Sequence, residues 1–169
     1  LEAFCGRLTL RQGMRALEIG SGLGGSAFHL ATRYGLQVTG LDVSDAMLEI
    51  SDERRLEAGI SGVTFVRGDI RTAALSEASF DLVWTRDCVL YIAEKDMVWR
   101  QAFQCMRPDG QLFVTDFACG KGPLSHGFRG YLEGCGYHLQ TLEDYAGGLS
   151  AAGLSVVASE DEHVRKLYL

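Results

Sequence analysis

The residues with the clearest chemical content are a glycine loop and a set of carboxylates at the ends of short apolar runs. Glu18-Ile19-Gly20-Ser21-Gly22-Leu23-Gly24-Gly25 stands where the apolar run from Met14 to Ile19 gives way to a helical pattern. Glycines there let the backbone turn tightly and approach a ligand, and the helix beyond offers N–H donors. Gly20, Gly22 and Gly25 satisfy the G-x-G-x-x-G spacing of nucleotide-binding loops, which alone is a weak signal. Asp42 ends the next apolar run 22 residues after Gly20, where a carboxylate can accept from both hydroxyls of a ribose. Ser21 belongs to the same candidate site, as do Val43 beside Asp42 and Met47 as an adenine-lining side chain, although ordinary packing explains Met47 equally well. To this point a nicotinamide dinucleotide and an adenosyl-methionine fit alike.

Three acids separate the two. Glu18, just before the first glycine, would face a pyrophosphate in a dinucleotide enzyme. It suits instead a ligand that carries a cation and no phosphate. Gly68-Asp69-Ile70 follows the third apolar run, where Asp69 can accept from an adenine amino group and Ile70 can cover the ring face. Arg86-Asp87 follows the fourth run and adds another acid. Glu18, Asp42, Asp69 and Asp87 would then form an acidic rim complementary to a sulfonium and an amino group. Any one of them is ordinary as a solvated loop acid; four at successive run ends are not.

A rim of this kind requires elements that bring the run ends to one edge. Strands are expected at Met14 to Ile19, Leu36 to Leu41, Val63 to Val66, Phe80 to Trp84, Leu112 to Thr115 and Ser155 to Ala158. Helices are expected over Leu23 to Tyr34, from the N-cap Ser44 to about Ala58, over Ala93 to Met106, and from Thr141 with Asp144 to the stop at Gly153. Arg107-Pro108-Asp109-Gly110 reads as a turn between helix and strand, and Cys119 to Gly136, with six glycines, as a partly irregular excursion. Strands alternating with helices predict an α/β, doubly wound, Rossmann-like sheet, mostly parallel, with helices on both faces.

Composition agrees. The chain has 169 residues, 47% of them apolar, and 16 basic against 22 acidic side chains, a net charge of −6. That supports one packed domain over residues 1–169 and excludes disorder. No apolar run approaches the ~20 residues of a membrane span. Basic residues are outnumbered and form no stripe, so nucleic acid is not an expected partner. The five cysteines are scattered without a Cys-x-x-Cys pair, which predicts neither a metal nor a disulfide framework and points to a reducing cytoplasm.

Leu17 to Gly25, Gly40-Leu41-Asp42, Gly68-Asp69-Ile70 and Met106-Arg107-Pro108-Asp109-Gly110 together resemble the motif series of class I S-adenosylmethionine-dependent methyltransferases, from about Gly13 to Ala158. Within them, Thr85-Arg86-Asp87-Cys88-Val89-Leu90-Tyr91-Ile92, Val114-Thr115-Asp116-Phe117, Gly136-Tyr137-His138-Leu139 and Leu142-Glu143-Asp144-Tyr145-Ala146 are similar to the phosphoethanolamine N-methyltransferases. The resemblance implies S-adenosyl-L-methionine as cofactor, held by Glu18, Gly20, Ser21, Gly22, Asp42, Val43, Met47, Asp69, Ile70 and Arg86. It implies a small-molecule acceptor, with Asp87 and Tyr91 in the catalytic roles and Phe117 and Tyr137 beside them in acceptor binding. The rival readings are a non-catalytic cofactor-binding module and a nicotinamide oxidoreductase.

The chain departs from that family at the acceptor. Tyr91 stands where the family has a catalytic histidine, and tyrosine at ~10 is a poor base beside histidine at ~6.5. The family's two tyrosines and arginine for phosphate correspond to Phe117, Cys135 and Tyr137, leaving Lys121, His126 and Arg129 as the excursion's other basic groups. The resemblance also implies a chain trimmed at both ends, without the N-terminal lid and without the last, antiparallel strand. His29, His126, His138 and His163 read as ordinary histidines, Cys88, Trp84 and Trp99 as packing residues, and Glu160-Asp161-Glu162 as a solvated helix start.

Overall fold

Four consecutive buried residues, Ala16 to Ile19, require a strand covered on both faces. That strand is β1 (Arg15–Ile19), the centre of a five-stranded parallel sheet in the computed structural model, which describes residues 1–161. Its neighbours are β2 (Gln37–Asp42) and β4 (Phe80–Arg86), with β3 (Val63–Arg67) and β5 (Met106–Thr115) at the edges, in the order β3-β2-β1-β4-β5. Helices α1 (Glu2–Cys5), α2 (Gly25–Tyr34), α3 (Asp45–Glu57), α4 (Lys95–Cys105), α5 (His126–Cys135) and α6 (Leu142–Ala151) connect and cover them, with a 3₁₀ turn at Val89–Tyr91.

Side chains alternate across the sheet and divide the core in two. Leu17, Ile19 and Val83 pack with Val98, Trp99 and Tyr145 under α4 and α6. Ala16, Leu82 and Trp84 pack with Ala27 and Leu30 under α2. Trp84 and Trp99 are 0% and 1% exposed, one in each half, as packing residues should be. The parallel, doubly wound architecture is therefore the expected one. Strand order reverses direction between β1 and β4, which opens a crevice at their C-terminal ends. Register then sets Ile19 beside both Leu41 and Thr85, and Arg86 beside Thr115, so the candidate residues share one edge.

Local signals explain the helix starts. The Ser44 hydroxyl accepts the Met47 N–H at 3.3 Å, and Thr141 and Asp144 cap each other's backbone N–H. Gly35 ends α2 in a left-handed conformation at φ 70°.

Three expectations need correction. Arg107-Pro108-Asp109-Gly110 does not separate a helix from a strand. It is a bulge within β5, where Phe80 pairs with Met106 but Leu82 already pairs with Gln111, and Asp109 takes φ 62°. Cys119 to Gly136 is more ordered than its glycines suggest, because Ser125 caps α5 by accepting the Phe128 N–H at 3.2 Å and Leu132 is buried beneath it. Ser155 to Ala158 forms no strand. Its valines are adjacent, so a sheet edge would bury only one of them, and Val157 is left 96% exposed. The helix start expected at Glu160-Asp161-Glu162 runs past Asp161, and its continuation, like His163, lies outside the described residues.

Gly40 shows how tightly the edge is drawn. A Cβ there would lie 2.7 Å from a Phe65 ring carbon and 2.9 Å from the Ser21 Cβ, although its φ is ordinary. Gly40→Ala should therefore destabilise the fold by about 1–3 kcal/mol through overpacking, read as a lowered urea midpoint with an unchanged m-value. A midpoint equal to wild type would show that β2 and β3 can part without cost.

Candidate functional site

The loop after β1 is tied to the end of β2. The N–H groups of Gly20 and Ser21 both donate to the Leu41 carbonyl, at 2.8 and 3.1 Å, and Gly24 donates to the Ser21 carbonyl at 2.9 Å. The Gly22 N–H donates to Asp42 Oδ2 at 2.8 Å, while Asp42 Oδ1 accepts the Ser44 N–H at 2.9 Å. Asp42 is thereby fixed, half-buried, with one acceptor position left on each oxygen. A phosphate cradle needs free N–H donors, and this loop has spent four of them internally. The glycines serve close approach instead: a Cβ on Gly20, at φ 70°, would fall 2.2 Å from Cys88 Sγ.

Glu18 is 3% exposed at the start of this loop. Burial pushes its pKa up to about 8, against the pull of the Ser26 side chain, the Ala27 N–H and Arg86. Glu18 Oε2, Ser21 Oγ and Thr85 Oγ1 are buried without a hydrogen-bond partner among the described residues. Orphaned polar atoms are costly inside a protein, and three lie at adjoining strand ends, an opening for polar partners from outside the chain.

At the end of β3 the arrangement differs from a free acid over an adenine. Asp69 is engaged by Arg71, whose Nε lies 3.0 Å from Oδ1 and whose second arm reaches Glu94. This pairing holds the Asp69 carboxyl below its ordinary range. Ile70 is buried in the core at 3% exposure rather than presented to the crevice. Val43 and Met47, by contrast, are apolar and exposed beside Asp42, at 64% and 41%.

The end of β4 carries the acceptor-side candidates. Asp87 is exposed with φ 51°; its N–H donates to the Thr115 carbonyl at 2.8 Å and its carboxylate lies 3.8 Å from Arg86 Nε. Cys88 lies over Gly20, and burial, then the charges of Asp42, Asp116, Glu18 and Asp69, push its thiol up to about 12. It is a neutral packing group, as expected. Among the acids, Asp42 acts on Glu18 and Asp87 acts on Asp116. Tyr91 ends the 3₁₀ turn, and its ring stands 5.2 Å from that of Tyr137; Phe117 is exposed after β5.

Lys95, Asp116 and Tyr145 are functional neighbours that residue types alone did not single out. Lys95 is 3% exposed and donates to the Val89 and Ile92 carbonyls at 2.9 and 2.7 Å, closing the turn that carries Tyr91. The Tyr145 hydroxyl donates to Asp116 Oδ2 at 2.8 Å. Burial pushes Asp116 up to about 6, while Tyr145, the Phe117 N–H and Lys95 hold it back. A buried lysine at a helix start has no sequence signal. Asp116 had one, its place at the end of β5.

A family model described as a methyltransferase domain matches residues 10–126. Over 158 residues the chain is 32% identical to phosphoethanolamine N-methyltransferase 1 of Triticum aestivum, covering 94% of this chain and 32% of that protein. It is also 32% identical, over 167 residues, to a 27-O-demethylrifamycin SV methyltransferase of Amycolatopsis mediterranei, covering 95% of this chain and 61% of the relative. Among solved structures, Haemonchus contortus phosphoethanolamine N-methyltransferase 2 in complex with S-adenosyl-L-methionine superposes with a TM-score of 0.93 at 30% identity, over 99% of this chain and 39% of that one. The chain thus spans about a third of the length of the wheat relative.

The Glu18 shift has a testable sign. A carboxyl whose pKa rises from 4.5 to about 8 on folding binds its proton more tightly in the native state, so stability falls as pH rises between those values. Urea unfolding should show a loss on the order of a few kcal/mol from Glu18 across this window, with Asp116 adding to it only below about pH 6. Glu18→Gln should remove the slope above pH 6.5 and be the more stable chain at pH 8. Parallel curves for the two proteins would place the Glu18 carboxyl in water.

Proposed function

This chain belongs to the methyltransferase-domain family, and from that premise we propose that it binds S-adenosyl-L-methionine across the C-terminal edge of the sheet for methyl transfer to a small-molecule amine. The observation that carries the reading is the loop with its N–H donors spent, flanked by fixed Asp42 and by the unpartnered Glu18 Oε2. This is a site for a ribose and a cation, not for a pyrophosphate. It disfavours a nicotinamide dinucleotide on the same ground.

The residues present fit the cofactor part by part. Asp42 would accept from the ribose hydroxyls through its remaining acceptor positions, between exposed Val43 and Met47. Glu18 would take the amino group, and an incoming ammonium would return its carboxyl to the ionised form. Ser21 Oγ and Thr85 Oγ1 are the unpartnered hydroxyls beside it, suited to a carboxylate. Bound there, the cofactor supplies an electrophilic methyl group on a cationic sulfur, which a nitrogen lone pair takes by in-line displacement. Asp87 would orient the acceptor amine from its fixed turn, and Asp116, half-buried and within reach of the Asp87 charge, with its pKa raised by burial to about 6, would take a proton from that amine. Tyr91 and Tyr137 line the acceptor side. The resemblance to phosphoethanolamine N-methyltransferases supports a small amine as the acceptor class.

Asp42→Ala should weaken S-adenosylhomocysteine binding by about ten- to a hundredfold, the cost of about 1–3 kcal/mol for lost charge-assisted hydrogen bonds, as read by titration calorimetry. Unchanged affinity would remove the ribose assignment. A companion mass-spectrometric screen of methyl transfer to amines decides between enzyme and module: binding with no turnover on any amine would favour the non-catalytic reading.

A further inference from the structure

Beyond Tyr91 the acceptor side continues as a run of aromatic rings that the cofactor site does not use. Tyr91 meets Tyr137 at 5.2 Å and 72°, and Tyr137 meets Tyr131 at 6.3 Å and 83°. Phe128 stacks on the outside of Tyr131 at 6.1 Å and 14°. Tyr91 and Tyr131 are each 56% exposed, although burying such rings would stabilise the fold. The phenols of Tyr91 and Tyr137 interact, and the Tyr131 phenol interacts with Cys135.

The angles select the ligand. A flat aromatic ligand needs two parallel faces with a gap between them, and the one near-parallel pair here is already in contact. Two successive near-perpendicular contacts, Tyr91 with Tyr137 and Tyr137 with Tyr131, instead make a corner at Tyr137, which suits a compact, roughly spherical cation. Charge agrees with shape. Among the described residues, the nearby basic groups are largely engaged: Arg71 by Asp69 and Glu94, Lys121 by Glu143 at 2.9 Å, and Lys95 by two backbone carbonyls. Asp87 stands at the Tyr91 end of the run. The exception is Arg129, which lines a hollow of about 460 Å³ with Leu132, Glu133, Tyr137 and His138. It shares that hollow with an acid and marks where an anionic ligand would have to bind.

We propose that Tyr91, Tyr131 and Tyr137 form a cage for a methylated ammonium group, the cationic product left once an amine nitrogen has given its lone pair to the methyl group, so that this site takes a phosphate-free, methyl-bearing alkylamine as its acceptor class. The proposal rests on the methyl-transfer reading for its placement of the acceptor. It differs in what it demands: methyl bulk and no anion on the acceptor, and the positive charge of the methylated product.

The test uses the full chain with saturating S-adenosylhomocysteine and compares choline, its neutral isostere 3,3-dimethylbutan-1-ol, and phosphocholine by calorimetry. Choline should bind about tenfold more tightly than the neutral isostere, the range of a partly exposed cation–π contact. Tyr131→Leu should erase most of that preference, whereas Tyr137→Phe should keep it, since the ring and not the hydroxyl does the binding. Equal affinity for choline and the isostere would overturn the cage, and so would a Tyr131→Leu chain with the preference intact. Phosphocholine binding tenfold tighter than choline, with the gain lost in Arg129→Gln, would overturn it in favour of an anion site. If S-adenosylhomocysteine binds and choline shows no preference, only the cage falls. If S-adenosylhomocysteine itself fails to bind, the methyl-transfer reading falls and takes the cage with it.

Discussion

One buried ammonium organises the acceptor half of this molecule. Lys95 loses nearly all contact with water, which is costly for a charge unless its donors are satisfied. Two of its N–H groups meet carbonyls of the turn after β4, and its charge lies 5.7 Å from the centre of the Tyr145 ring. Tyr145 in turn donates to Asp116 at the end of β5. Burial lowers the lysine pKa while Asp116 raises it, so the acid and the base sustain each other's charge. Through this chain of contacts α4, α6, β5 and the turn are one unit. The turn that carries Tyr91 is held from this side by Lys95, while Asp87 is fixed by its own N–H bond to the Thr115 carbonyl.

The cofactor half obeys a different constraint, the spending of backbone donors. In a phosphate-binding loop the N–H groups at a strand-to-helix turn point outward to the ligand. Here they turn inward, to Leu41 and Asp42, and stitch β1 to β2. The gain is a rigid Asp42. The consequence is that recognition passes to side chains, and the unpartnered ones are an acid and two hydroxyls. A ligand with a diol, an ammonium and a carboxylate matches that set; a diphosphate does not.

Much of this was legible in the residues, for identifiable reasons. Periodicity marks β1 and β4 because each is buried on both faces, and Ser44 and Thr141 announce their helices through caps whose chemistry is local. The glycine spacing and the acids at the strand ends were readable because strand ends in a parallel sheet share one edge whatever the helices do. What was not readable depends on partners distant in sequence. Arg71 claims Asp69 and Glu94 together, which turns a candidate adenine ligand into part of an ion pair. Lys95 reads as a surface residue at a helix start until the turn folds over it. Three glycines inside α5 conceal a helix that one cap and one buried leucine are enough to hold. Ser155 to Ala158 has strand composition but no face to bury.

The two halves also differ in how freely they can change. Glu18 and Asp42 sit on paired strands and Gly20 in the loop packed under Cys88, so substitution there strains the sheet or its closest loop contact. The rings of the aromatic run stand on a 3₁₀ turn, on α5, a short helix rich in glycine whose one buried residue is Leu132, and just beyond its end at Tyr137. Exchanging a ring there costs little folding energy, because the rings are half exposed and hold up nothing else. The aromatic run can therefore change while the strand edge at β1 and β2 stays fixed. Relatives at the same 32% identity are named a phosphoethanolamine N-methyltransferase in one case and a 27-O-demethylrifamycin SV methyltransferase in the other. The aromatic corner at Tyr137 lies in the part of the fold that is free to change.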